Sequence, residues 1–153
     1  MLPITKKLLY NINIILHWSY IKTMISMDID WRGLLEDTIK VLSPSSTLVN
    51  RCNVMFSENM VYNLNFYYNA VKSGPVSVEN IVSLRKYYFS FVSVTFDLRS
   101  RIRSNNEYFV RSTTSQKIIN NCNIILHQCE IINNLILDAE EALVSFSKYT
   151  SFT

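Results

Sequence analysis

Three arginines at alternate positions, Arg99, Arg101 and Arg103, close a long segment of apolar periodicity, and Arg111 and Lys117 follow shortly after. Between Leu98 and Lys117 these five cations face one acid, Glu107. Guanidinium forks match phosphate geometry, so such a concentration of charge is the footprint expected for a polyanion partner. The rest of the chain has no cationic excess, because the whole carries 15 Lys plus Arg against 12 Asp plus Glu. If the segment frays near Arg99, the alternation puts three guanidinium groups on one side of an extended strand. If it stays helical, the same residues form a solvated end that favours the negative pole of the macrodipole. A second set, Asn123, His127, Glu130 and Asn134, is spaced by four, three and four and shares one helix face. That row has the chemistry to hydrogen-bond bases or sugars, although an ordinary exposed face has the same look.

Catalytic chemistry finds little to work with. His17 and His127 have no metal-ligand partner at i+4, there is no Cys-x-x-Cys, and His127 and Cys129 are two apart, so on a helix their side chains diverge. The expectation is a non-enzyme with no cofactor and no metal. Cys52, Cys122 and Cys129 are an odd number without framework spacing, which predicts reduced core residues and a reducing compartment.

The elements that must position these groups are helices. A chain of 153 residues, 48% hydrophobic with two Gly and three Pro, suits one compact helical domain and lacks the turn residues of a hairpin-rich sandwich. Leu34, Leu35, Ile39 and Leu42 predict a helix from Trp31 to Leu42, stopped at Ser43-Pro44. A serine at 43, 45 or 46 caps a second from Thr47 to Met60. Val61 to Val71, aromatic and β-branched ahead of Gly74-Pro75, predicts a short extended segment. Ser77 caps a third helix, with Ile81, Leu84, Tyr88, Phe91, Thr95, Leu98 and Ile102 on one face. After a polar connection at Ser104 to Ser115, the fourth helix carries Ile118, Cys122, Ile125, Cys129, Ile132, Ile136, Ala139 and Leu143 as a heptad-like seam. Two long helices with facing stripes and two shorter ones predict an all-α fold, an antiparallel four-helix bundle with a short β-like segment.

Residues 1–26 read as a peripheral N-terminal extension to a domain spanning 27–153, with Met24 and Met27 as alternative starts. Lys6 to Met24 superficially resembles a signal or anchor, but Asn11, Asn13, His17 and Lys22 interrupt its apolar run. No membrane association is expected. The heptapeptides at Asn11 to His17 and Asn121 to His127 are alike without any repeat around them.

Phe96-Asp97-x-Arg99-x-Arg101-Ile102 resembles the hallmark of the coat proteins of rod-shaped viruses of the tobacco mosaic virus type. The order of parts is similar from about Trp31 onward. A Ser-rich turn leads to Thr47-x-x-x-Arg51, and Ile132-Asn133-Asn134-Leu135-Ile136 resembles that family's left radial helix. The resemblance implies a bundle that stacks into a helical rod around single-stranded RNA, in the virion and host cytoplasm. It also implies that Arg51, Arg99 and Arg101 contact phosphates and that Asn123, His127 and Asn134 face nucleotides. This chain departs from the family at Asn120-Asn121-Cys122-Asn123, where acids are usual, and Glu107 is alone in the inner loop where the family opposes carboxylates. A different expectation for a helical chain of this size is a small viral bundle of the Bcl-2-like type, which binds host proteins through an apolar groove with little salt sensitivity.

Overall fold

The computed structural model describes residues 29–104 and 112–150, with side chains to 145. Five helices are present and there is no strand among the described residues: α1 (Trp31–Val41), α2 (Thr47–Met55), α3 (Glu58–Ser73), α4 (Val78–Ser104) and α5 (Thr113–Thr150). The fold is all-α. Residues 1–26, together with Glu107 and Arg111, lie outside the described residues.

Each start has a hydroxyl or carboxylate to satisfy its free amides. Asp30 Oδ1 accepts from the Gly33 amide at 3.0 Å, and Ser46, Ser57, Ser77 and Ser112 accept in the same way at the heads of α2, α3, α4 and α5. The helix expected to continue to Met60 instead ends at Met55. Phe56 turns out of the helical path and Ser57 opens α3, its hydroxyl also donating to the Val54 carbonyl at 2.8 Å. The break lets Phe56, 1% exposed, fill the space between Trp31 and Phe91, with ring centroids at 5.6 and 6.2 Å. A fully buried aromatic ring of this kind contributes roughly 1.5–3 kcal/mol.

The extended segment expected at Val61 to Val71 is helical, within α3. Aromatic and β-branched content is a weak preference that tertiary packing overrides. Val61, Leu64, Asn65 and Tyr68 are buried at steps of three, one and three, so a helix puts them all against the core, which a strand would split between two faces. α3 then ends at Gly74, where a Cβ would come within 2.4 Å of the Ala70 carbonyl oxygen.

α4 and α5, of 27 and 38 residues, share the most extensive contact in the fold. Arg85 pairs with Glu140 while Arg99 bonds Asn123, so rising numbers in α4 meet falling numbers in α5 and the two run antiparallel. Leu84, Phe91, Leu98 and Ile102 face Ile118, Cys122, Ile125, Cys129, Ile132 and Ile136, all at most 1% exposed. This seam matches the stripes read from the sequence. α1 packs on α5, α2 on α4, and α3 across both. Within the seam the Thr95 hydroxyl is buried and has no hydrogen-bond partner among the described residues.

Two substitutions test this packing by chemical denaturation. Leu98→Ala removes about 2–5 kcal/mol of stability, as for a filled core site. Thr95→Val, which deletes an unsatisfied hydroxyl at nearly constant volume, raises it by about 1 kcal/mol.

Candidate nucleic-acid interface

The antiparallel seam brings the end of α4 beside the beginning of α5, so Arg99, Arg101, Arg103 and Lys117 gather at one end of the molecule. α4 does not fray at Arg99; it continues to Ser104. At 100° per residue the three arginines therefore fan around the helix rather than lining one side. Arg99 and Arg103, four apart, turn toward α5, and both bear on the Cys122 thiol. Arg101 turns the other way, into a cleft of about 450 Å³ with Thr47 and Arg51 of α2 and Asp97 of α4.

The six residues singled out from the sequence are in different states. Arg99 is half-buried; its Nη1 donates to Asn123 Oδ1 at 2.9 Å, and its guanidinium lies 5.4 Å from the centroid of the Phe96 ring. The phosphate-type and base-type candidates thus meet across two helices. Arg51 donates from Nη1 to Asp97 Oδ2 at 2.8 Å and from Nη2 to Ser93 Oγ at 3.2 Å. With side chains 40% and 47% exposed, that ion pair contributes on the order of 0.2–1 kcal/mol. Arg101 is exposed, as are Arg103 and Lys117, and none of the three forms an ion pair among the described residues. Asn123, His127, Glu130 and Asn134 are all exposed on α5, away from its buried stripe. The row spans about 16 Å along the helix axis. His127 and Asn134 are therefore one and three turns beyond the arginine cluster rather than within it.

Three thiols are buried in the core, and two of them, Cys52 and Cys122, lie beneath the arginines. Burial pushes Cys52 up to about 11, against the lowering effect of Arg51, and pushes Cys122 up to about 12 despite Arg99 and Arg103. Burial alone raises Cys129 to about 12. The thiols are neutral at physiological pH and leave the positive charge above them uncompensated. Among the described residues no group of three or more His, Cys, Asp or Glu is placed to hold a metal ion, and no helix is long and apolar enough to cross a membrane.

Several neighbours of the arginines were not foreseen from the sequence. Asp97 and Ser93 hold Arg51 across more than forty residues of chain, and no local spacing signals a contact of that range. Phe96 and Phe89 stand exposed beside the cluster. Their signal was available, because α4 has more apolar residues than one buried stripe can use. No known protein family, curated protein or solved structure matches this chain.

Thiol chemistry provides a direct check. In the folded protein all three cysteines resist alkylation at about pH 8 and react fully once unfolded. The raised folded values stabilise the fold below the ordinary thiol value of 9.0, and that stability is lost as pH climbs toward about 11 to 12. The thermal midpoint therefore falls with rising pH across that window, and Cys122→Ala shallows the fall.

Proposed function

We propose that this chain is a coat protein of the tobacco mosaic virus type, a structural subunit that assembles head-to-tail into a helical rod and packages single-stranded viral RNA. The observation that carries the reading is the bond between Arg99 and Asn123. It joins a guanidinium from the Phe96-Asp97-x-Arg99-x-Arg101-Ile102 segment to the polar face of α5, at the end of the molecule where Arg101 and Arg103, exposed and without an ion pair among the described residues, also sit. In this reading Arg99, Arg101 and Arg51 neutralise phosphates, which gives affinity without sequence preference. Asn123, His127 and Asn134 face the nucleotides on α5. A subunit of this kind must cover any stretch of a genome, so sequence-tolerant contacts suit the task.

The family architecture is a four-helix bundle, and the reading takes α4 and α5 as its two long members with α1 and the α2–α3 pair as the shorter ones. Contacts between copies that do not close into a ring generate an open helix, so one small subunit can enclose a long strand. No catalytic residue, cofactor or metal enters this function, and the virion and host cytoplasm are its setting.

Asp97 has a definite part in it. Its carboxylate holds the Arg51 guanidinium, and a phosphate must compete with it or add to it. Asp97→Asn frees Arg51 and removes a negative charge; it tightens RNA binding and changes folding stability by less than about 1 kcal/mol.

The central test is the double variant Arg99→Ala with Arg101→Ala, assayed for RNA binding across a salt series. It keeps its helical content and binds more weakly. Its log affinity against log salt is shallower by about 1.4, the value for two lost phosphate contacts on a single strand. An unchanged affinity and slope would defeat the proposal. Tight binding of an amphipathic host peptide, insensitive to salt, would favour the groove-binding alternative instead.

A further inference from the structure

α4 has a second apolar line outside its buried stripe. Val78, Val82, Phe89 and Phe96 follow in steps of four, seven and seven, which keeps them within a narrow sector of the helix. All four are exposed, Phe89 at 68% and Phe96 at 52%. α5 borders the line on one side, through the Arg99–Asn123 and Arg85–Glu140 contacts. α2 borders it on the other, through Arg51 to Ser93 and Asp97. The two rings thus stand on a ridge between the elements that hold the arginines.

The two rings differ in their cationic neighbours. Phe96 lies against the guanidinium of Arg99. Phe89 borders a groove of about 560 Å³ between α2 and α4, together with Arg51, Val54 and Ser93. Lys86 is exposed one turn from Phe89. Isolated exposed apolar residues are ordinary on a folded surface, but two aligned rings beside cations form a surface of a particular kind. Single-stranded nucleic acids are bound by such surfaces, with cations tracking the backbone and aromatic faces taking the bases. Because every base has a π face, stacking adds affinity without selecting sequence. The basic border favours a polyanion as the occupant, since Arg99 and Lys86 beside the rings have no carboxylate partner among the described residues.

We infer that Phe96 and Phe89 are base-stacking platforms for the single-stranded RNA whose phosphates the neighbouring arginines hold. This rests on the RNA-packaging reading and adds a binding surface on α4 to the one on α5. The rings are about 10 Å apart along the helix axis. A strand crossing the end of α4 meets Phe96 beneath Arg99 and reaches Phe89 in the groove that Arg51 lines. The polar members of that groove, Ser93 among them, are placed to meet base edges, while Val54 supplies an apolar wall.

The test uses the full chain with two ligands, a single-stranded RNA oligonucleotide containing 2-aminopurine and inorganic long-chain polyphosphate, which has charge but no bases. Binding of the RNA to the unaltered protein is expected to change the 2-aminopurine fluorescence as the base stacks, a readout independent of any variant's folding. Phe96→Leu and Phe89→Leu are each expected to weaken RNA binding about tenfold. Polyphosphate binding is unchanged, and Phe96→Tyr and Phe89→Tyr retain RNA affinity. Equal RNA affinity in the double leucine variant would overturn the inference and leave the arginine-based reading standing. So would parallel loss of both ligands, or lost self-association at unchanged RNA affinity, which would assign the ridge to contacts between copies. If the unaltered protein binds polyphosphate but no RNA, or neither ligand, the packaging reading falls and takes this inference with it.

Discussion

Side chains with no room to slide set the register of α4 against α5. Leu98 and Ile102 on one helix and Ile118, Cys122 and Ile125 on the other have no accessible surface, and interiors of that density resist even a methylene of change. A shift by one residue would rotate each stripe by 100° and move half of it into water. Because the register is held, Arg99 meets Asn123 and Arg85 meets Glu140, on side chains separated by tens of residues. The meeting of Arg99 with Asn123 at the cationic end follows from that apolar constraint. The polar groups themselves contribute little to stability where they are half exposed.

The cationic end is graded in how firmly its charges are held. Arg51 is tied to Asp97 and Ser93, Arg99 is oriented by Asn123 and the Phe96 ring, and Arg101 and Arg103 are exposed without an ion pair among the described residues. Orientation before binding lowers the ordering cost that a long flexible side chain would otherwise incur. Free charges, in contrast, draw a polyanion from a distance and adapt to its backbone. Neutral buried thiols at Cys52 and Cys122 fill the space below without cancelling the field.

Much of this was legible in the sequence, and the reasons differ between elements. The stripe from Ile81 to Ile102 and the heptad-like run from Ile118 marked α4 and α5, because long periodic patterns outweigh local propensity. Ser77 marked the start of α4 correctly. At Val61 to Val71 the aromatic composition pointed to a strand, although Val61, Leu64, Tyr68 and Val71 are also at helical spacing. The break at Phe56 was not legible, since its cause is the space between Trp31 and Phe91, which exists only once α1 and α4 have packed. The fan of Arg99, Arg101 and Arg103 depended on whether the helix frayed, a question of tertiary support that the spacing left open. Of the site, the arginines and the α5 row were readable as types and periods; Asp97 as the partner of Arg51 was not.

A charged end on a rigid helical pair becomes a packaging device only if copies assemble around the strand they bind. Negative-stain electron microscopy of the purified full chain mixed with single-stranded RNA addresses this most directly. The account predicts rods or stacked discs, with rod length increasing with RNA length and the enclosed strand resistant to nuclease. Dispersed monomers or dimers beside freely digested RNA would contradict it.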